Sequence, residues 1–392
     1  MGELTPAVAC TAFKNFYSTC LLIFSVFIVS ALVFTRQTQM SQDVHPAAAF
    51  VIMWLAVLWL AMVEGGQGPL VGLLPVDLDL YKESHPKTYM STKITTKGDN
   101  LDRYLMGRQF MVVLLVFVIN LCGAPLAGAT LFSFPPIVLE IFLVSGVAMI
   151  LFTAMLGQLA AQVNASHMML DFINNYFAVF TLYVAMVIEF SGFLHSSYLI
   201  QMIVAKLAGK AHDHNSREEK RSLPMALFFW GRCLMSLAIL GFACAVTFAA
   251  LFQGKTTMWG SVPGGAAVVI FIVLASCVGL LEGMQIAFFA VTKLPKSEQG
   301  KHKFAMKTCE LLFRGEGVNL PGFMIGRQVC VTLCWFVAAR VTTMNVEVGT
   351  GENIFGVSDG FQTFLNTGLL GAVLTTILAS ISWQLVASAF PI

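Results

Sequence analysis

Along this chain the charges keep apart from the apolar residues. Uncharged runs of 18 residues or more alternate with short polar clusters over nearly the whole sequence. In helical form about 20 apolar residues cross the hydrocarbon core of a bilayer, and the helix satisfies its own backbone polar groups while doing so. The expected fold class is therefore all-α, a polytopic membrane protein. Composition agrees, since 57% of the residues are hydrophobic, 11% are charged and 33 are Phe, more apolar surface than a soluble chain of 392 residues could cover. A net charge of +2 gives no basis for binding nucleic acid, and the lipid bilayer is the expected surrounding.

The apolar runs predict spans at 16–34, 47–74, 104–122, 133–156 and 177–204. The first is long for a signal peptide and has no small-residue cleavage site, so it reads as a retained helix. The most charged stretch, 206–221, follows, and then the pattern restarts with spans at 225–252, 264–291, 323–342 and 364–388. Three segments result: 1–204 as a first repeat of five helices, 205–223 as a charged linker, and 224–392 as a second repeat. About nine of ten helices are then present. Trp383-Gln384-Leu385-Val386-Ala387 loosely echoes Gly157-Gln158-Leu159-Ala160-Ala161, and on that echo Ile392 falls before the counterpart of the fifth helix.

The evidence for duplication lies in two short motifs. Glu64-Gly65-Gly66-Gln67-Gly68-Pro69 sets a carboxylate, an amide and a proline inside the second apolar run, and Glu282-Gly283-Met284-Gln285 repeats its core inside the seventh. A second motif, Gly107-Arg108-Gln109 and then Gly326-Arg327-Gln328, begins 43 residues after the first Glu and 44 after the second. Over the twelve residues from each triplet's Gly, seven are identical. An ordered pair of motifs recurring at near-constant spacing marks internal duplication. With five spans in the first repeat, the second starts on the opposite side of the membrane, so the repeats are expected to be inverted, a plan that serves alternating access in secondary transporters. Lys and Arg are divided too evenly between the two sides to set the sidedness.

A charge at mid-bilayer costs roughly 2.5–3.5 kcal/mol on insertion scales, so intramembrane ionisable residues are functional candidates. Glu64, Arg108, Glu140, Glu189, Arg232, Glu282 and Arg327 qualify. Pro69 cannot donate to the carbonyl of Gly65, and with three glycines nearby the helix is expected to break there, leaving carbonyls free. Arg108 and Arg327 lie about one turn inside their spans and could snorkel to the interface. Their equivalence, each with an equivalent Glu, points instead to an Arg–Glu pair that makes both charges tolerable. The amides of Gln67, Gln109, Gln285 and Gln328, which donate and accept, are then left to face a solute. Glu140, Glu189 and Arg232 read as polar contacts between helices. The stretch 189–201, with Ser191, His195, Ser196, Ser197 and Tyr198, is polar enough to line a path but has no counterpart in the second repeat. No nucleophile elbow, Walker loop or HExxH is present, and the nine Cys form no metal pattern, so no enzyme chemistry is expected.

Glu-Gly-x-Gln followed by Gly-Arg-Gln, twice, in a duplicated membrane chain resembles the silicon transporters of diatoms. The resemblance runs over essentially the whole sequence. Its motif positions fall on Glu64, Gly65, Gln67, Gly107, Arg108 and Gln109, then on Glu282, Gly283, Gln285, Gly326, Arg327 and Gln328. It implies sodium-coupled uptake of silicic acid across the plasma membrane, or a silica-vesicle or other internal membrane, with no cofactor beyond sodium as coupling ion. The resemblance leads one to expect a tenth span and a C-terminal coiled-coil tail, and on this reading neither falls within residues 1–392. Silicic acid is neutral and offers four hydroxyls, which suits amides and carboxylates better than a basic anion pocket. Glu64 and Glu282 are candidate substrate contacts with the four Gln, and candidate sodium ligands as hard oxygen donors. A transporter of another small solute, boric acid or a cation, is an alternative of the same architecture. A non-transporting scaffold or sensor is another, although it would gain nothing from intramembrane charge. Oligomeric state is not set by the sequence.

Overall fold

The computed structural model describes residues 6–74, 76–126, 128–207, 223–258, 262–291, 303–312 and 319–389. The expected linker at 205–223 lies almost wholly outside these residues. The described chain is all-α, and its only extended pairings are isolated bridges, Thr38 with Pro125 and Thr256 with Met344. The principal helices are α1 (Pro6–Phe34), α2 (Pro46–Gly72), α3 (Pro86–Thr95), α4 (Asn100–Gly123), α5 (Val147–Phe152), α6 (Ala160–His167), α7 (Tyr176–Phe190) and α8 (Ser196–Leu207). They continue as α9 (Leu223–Phe252), α10 (Gly264–Val291), α11 (Lys303–Leu312), α12 (Asn319–Thr342), α13 (Asp359–Asn366), α14 (Leu369–Thr375) and α15 (Ser382–Ala389). Among the described residues eight helical stretches are long and apolar enough to cross a membrane.

Three expectations need correction. The helix does not break at Pro69: α2 runs through it to Gly72, and the amide of Leu73 still donates to the Pro69 carbonyl at 2.9 Å. Proline is tolerated within a membrane helix where neighbouring helices, Ser or Thr side chains, water or a local adjustment of the helix satisfy the carbonyl it frees. The fourth span is not continuous over 133–156. A short helix, Pro136–Leu139, and a π turn, Glu140–Val144, end at Gly146, whose φ of +74° only glycine adopts freely, and the apolar stretch then runs Val147–His167. Glu140 is thereby left exposed ahead of that stretch rather than buried between helices. The fifth span is likewise two helices, α7 and α8, separated by a turn in which Gly192 has φ +87°.

The real interruptions recur. After Gly146, α5 passes into a π-helical segment, Thr153–Leu159, before α6. In the same order α14 follows Gly368, at φ +76°, and passes into the π-helical segment Thr376–Ile381 before α15. π turns inside helices are rare and gather at functional sites.

The chain packs as two compact units, residues 1–65 with 114–164 and residues 66–113 with 165–392, a division that passes through α2 and α4. In the first, Ile28, Val29 and Leu32 of α1, Met53 and Leu60 of α2, Ile119 of α4 and Phe152 of α5 are all buried. Glycines set the closest approaches. A Cβ at Gly123 would stand 2.9 Å from Met149 Sδ and 3.0 Å from Val29, and one at Gly157 would stand 2.7 Å from Leu60, which brings the π segment against α2. Trp54 packs edge-on to Phe152 with ring centroids 5.6 Å apart.

In the second unit a large apolar cluster runs from Leu240 and Val246 of α9 through Phe271 of α10 and Val341 of α12 to Leu374, Ile377 and Leu385. The two copies of the triplet glycine behave differently here. A Cβ at Gly107 would fall 1.8 Å from the Ala185 carbonyl oxygen, so α4 and α7 touch backbone to backbone at this point, whereas a Cβ at Gly326 meets nothing within 4 Å among the described residues.

Candidate functional site

Every motif side chain of the second repeat is buried in the second unit, with Glu282 at 6%, Gln285 at 2%, Arg327 at 3% and Gln328 at 3% exposure. α10 supplies Glu282 and Gln285, and α12 supplies Arg327 and Gln328. Arg327 Nη1 lies 3.2 Å from Glu282 Oε1, forming the ion pair expected from the sequence. Its other terminal nitrogen, Nη2, donates to Gln328 Oε1 at 2.6 Å. The partner of the second carboxylate oxygen was not foreseen. Gln384 Nε2, from α15, donates to Glu282 Oε2 at 2.9 Å and also reaches Gln109 Oε1 at 3.2 Å and Ser380 Oγ at 3.4 Å. Gln109 in turn accepts from Arg108 Nη1 at 2.8 Å. Residues of both triplets and of the second Glu-Gly-x-Gln thus join in one hydrogen-bonded cluster within this unit.

α10 and α15 can lie this close because Gly283 faces the α15 backbone, a Cβ there standing 3.3 Å from the Trp383 carbonyl oxygen. One turn earlier Gly279 leaves room for the Trp383 indole, which a Cβ would overlap at 2.4 Å. The motif glycine is therefore a packing residue beside the motif carboxylate.

In the first unit Glu64, at 6% exposure, is met by amides from the interrupted helix: Gln162 Nε2 donates to Oε2 at 2.9 Å and Gln158 Nε2 to Oε1 at 3.4 Å. Gln162 lies 16 residues after Gly146 and Gln384 lies 16 residues after Gly368, so the two occupy the same place in the two interrupted helices. The sequence echo had matched Gln384 with Gln158, one helical turn away. At the correct register Gln162-Val163-Asn164-Ala165-Ser166 answers to Gln384-Leu385-Val386-Ala387-Ser388. That five-residue similarity was the available signal, but it is too short to fix a register without the backbone.

The remaining predicted site residues divide by what they touch. Gln109 and Gln328 each have a carbonyl oxygen engaged by the neighbouring Arg of their own triplet. Gln67 is fully buried, and neither Nε2 nor Oε1 of its amide has a hydrogen-bond partner among the described residues. Such groups are rare in folded proteins. Arg108, at 1% exposure, is among the largest fully buried side chains of the chain.

A second polar cluster gathers on Glu189 at the end of α7. Arg103 Nε lies 2.8 Å from its Oε2, and His195 Nε2 and Arg232 Nη1 lie 3.2 and 3.9 Å from its Oε1. Glu189 and Arg232 thus make the interhelical contacts expected of them, joining α4, α7 and α9. Arg232 also donates to the Phe190 carbonyl at 3.2 Å and stacks on the Phe228 ring at 4.5 Å. Ser236 donates to the Phe193 carbonyl at 2.6 Å and receives the Ser196 amide at 2.9 Å, so the turn between α7 and α8 is satisfied from α9.

Chemically, the motif side chains form buried carboxylates bound by amides, with guanidinium groups supplying the opposite charge, on helices whose apolar length suits a bilayer. Amides that donate and accept are suited to binding a small polar solute. No curated protein and no solved structure matches the chain, whereas the family model described as "Silicon transporter" matches residues 7–392. The chain belongs to the silicon transporter family.

Proposed function

We propose that this protein takes up silicic acid in symport with sodium, by alternating access between two inverted repeats. The observation that carries the reading is the buried set of amides and carboxylates, built twice, at least one of whose amides, Gln67, has hydrogen-bonding capacity unused by the described protein. A neutral tetrahydroxylated solute needs donors and acceptors and no net charge, and pairing of Arg327 with Glu282 cancels charge where the amides gather. Family membership supports silicon as the cargo. Uphill movement of a neutral solute needs a coupled ion, and Glu64 and Glu282 are the oxygen donors nearest the amides on α2 and α10. The two helices interrupted at a left-handed glycine and a π segment are the elements with backbone able to rearrange during access. The protein would act in the plasma membrane as a multi-pass carrier.

The test is uptake of silicic acid by proteoliposomes under an inward sodium gradient. Accumulation above the external concentration is expected with sodium and not when potassium replaces it. Equal uptake under both gradients would remove the coupling, and no uptake under either would remove the transport reading.

A further inference from the structure

Gln162 and Gln384 share a feature that their register alone does not require. Each side chain is more than nine-tenths buried, at 6% and 1% exposure. Each commits Nε2 to a motif carboxylate at 2.9 Å, and each is left with an Oε1 that has no hydrogen-bond partner among the described residues. Buried acceptors are overwhelmingly paired in folded proteins, so the same orphan at the same place in two interrupted helices calls for a donor that arrives from outside.

The amide orientation is fixed by charge. Turning either amide over would set its carbonyl oxygen against a carboxylate oxygen, which repels it, so the NH2 group must face the Glu. At Gln384 the constraint is tighter, because Gln109 Oε1 and Ser380 Oγ also lie within 3.4 Å of Nε2. The motif glutamates therefore hold each Gln with its acceptor presented.

We propose that Gln162 and Gln384 are solute-contacting residues, one in each unit, whose carbonyl oxygens accept hydrogen bonds from the hydroxyl groups of a neutral polyhydroxylated solute. This rests on the transport reading above and adds to it two residues outside the Glu-Gly-x-Gln and Gly-Arg-Gln motifs. It also gives Glu64 and Glu282 a role as positioning residues that aim the amides. A hydroxyl donor fits better than a metal ion, because each of these amides presents one free carbonyl oxygen among the described residues, whereas a hard cation collects several oxygens around itself.

The experiment measures initial uptake of silicic acid by the full chain in proteoliposomes, for wild type, Gln162→Met and Gln384→Met. Met keeps the length and burial of Gln and removes the acceptor together with the NH2 group that meets the motif carboxylate. The Michaelis constant for silicic acid is expected to rise about tenfold in each variant, the loss of one hydrogen bond of roughly average strength, a larger change than that in half-saturation by sodium, whose proposed carboxylate ligands lose an amide in the same variants. Should a Met variant fail to fold, the corresponding Asn variant, which keeps the amide but withdraws it by one methylene, carries the same expectation. An unchanged constant for silicic acid in well-folded variants would overturn the proposal, as would a shift confined to sodium, which would give these oxygens to the coupling ion. Wild-type uptake with unmoved variants defeats this inference alone. No wild-type uptake defeats the transport reading beneath it.

Discussion

Glu282 is tied at one oxygen to a guanidinium and at the other to an amide, and the two partners are not interchangeable. Removing the guanidinium leaves a buried charge uncompensated, whereas removing an amide removes only a hydrogen bond. Arg327→Ala should therefore lower stability by about 3–5 kcal/mol, seen as a large fall in the thermal midpoint in detergent. Gln67 has no described partner to lose, so Gln67→Ala should leave the midpoint nearly unchanged while weakening silicic acid affinity. Equal falls for both variants would show that the amide is structural. At this scale the sequence was informative about which residues matter, because intramembrane Glu and Arg are too costly to be incidental. It was less informative about their partners. Nothing in Gly-Arg-Gln says that its glutamine carbonyl is engaged by its own arginine, and nothing near Gln162 or Gln384 advertises an amide facing a glutamate about 100 residues earlier.

The helices show the same division between what periodicity reveals and what backbone geometry decides. Hydropathy located nearly every apolar helix, since membrane spans declare themselves by length and lack of charge. It could not place the interruptions. Pro69 looked like the breaker, yet α2 passes through it, while the breaks fall at Gly146 and Gly368, where a left-handed φ is invisible in composition. π segments are equally silent, since no residue type in Thr153–Leu159 or Thr376–Ile381 distinguishes a π turn from an α turn. Sequence identity can also conceal a difference of role. Gly107 and Gly326 open identical triplets, but among the described residues only Gly107 of the two lies under a neighbouring backbone. Gly107→Ala should force α4 away from Ala185 and sharply reduce the yield of folded protein. Gly326→Ala should be neutral or stabilising by up to about 1 kcal/mol through helix propensity. Thermal unfolding of the two variants in detergent decides between this and equal sensitivity, which would mean that the triplet glycine has one shared role.

Across the whole molecule one device is built twice, a Glu-Gly-x-Gln carboxylate bound by a glutamine from an interrupted helix, and we propose that the repeats carrying it face opposite ways across the membrane. The doubling is visible in Glu64 with Gln162 and in Glu282 with Gln384. The inversion depends on parity. α7, with 15 residues, and α8, with 12, must together make a single crossing for the first repeat to contain five. Lys93 on α3 and Lys307 on α11 are exposed and lie on the connections that follow α2 and α10. Single cysteines at these two positions, in a chain freed of its nine native Cys and reconstituted in one orientation, report parity directly through an impermeant thiol reagent. The account predicts that Lys93→Cys labels from one side of the membrane and Lys307→Cys from the other. Labelling of both from the same side would mean an even number of crossings per repeat, a parallel duplication, and no inverted repeats on which alternating access could run.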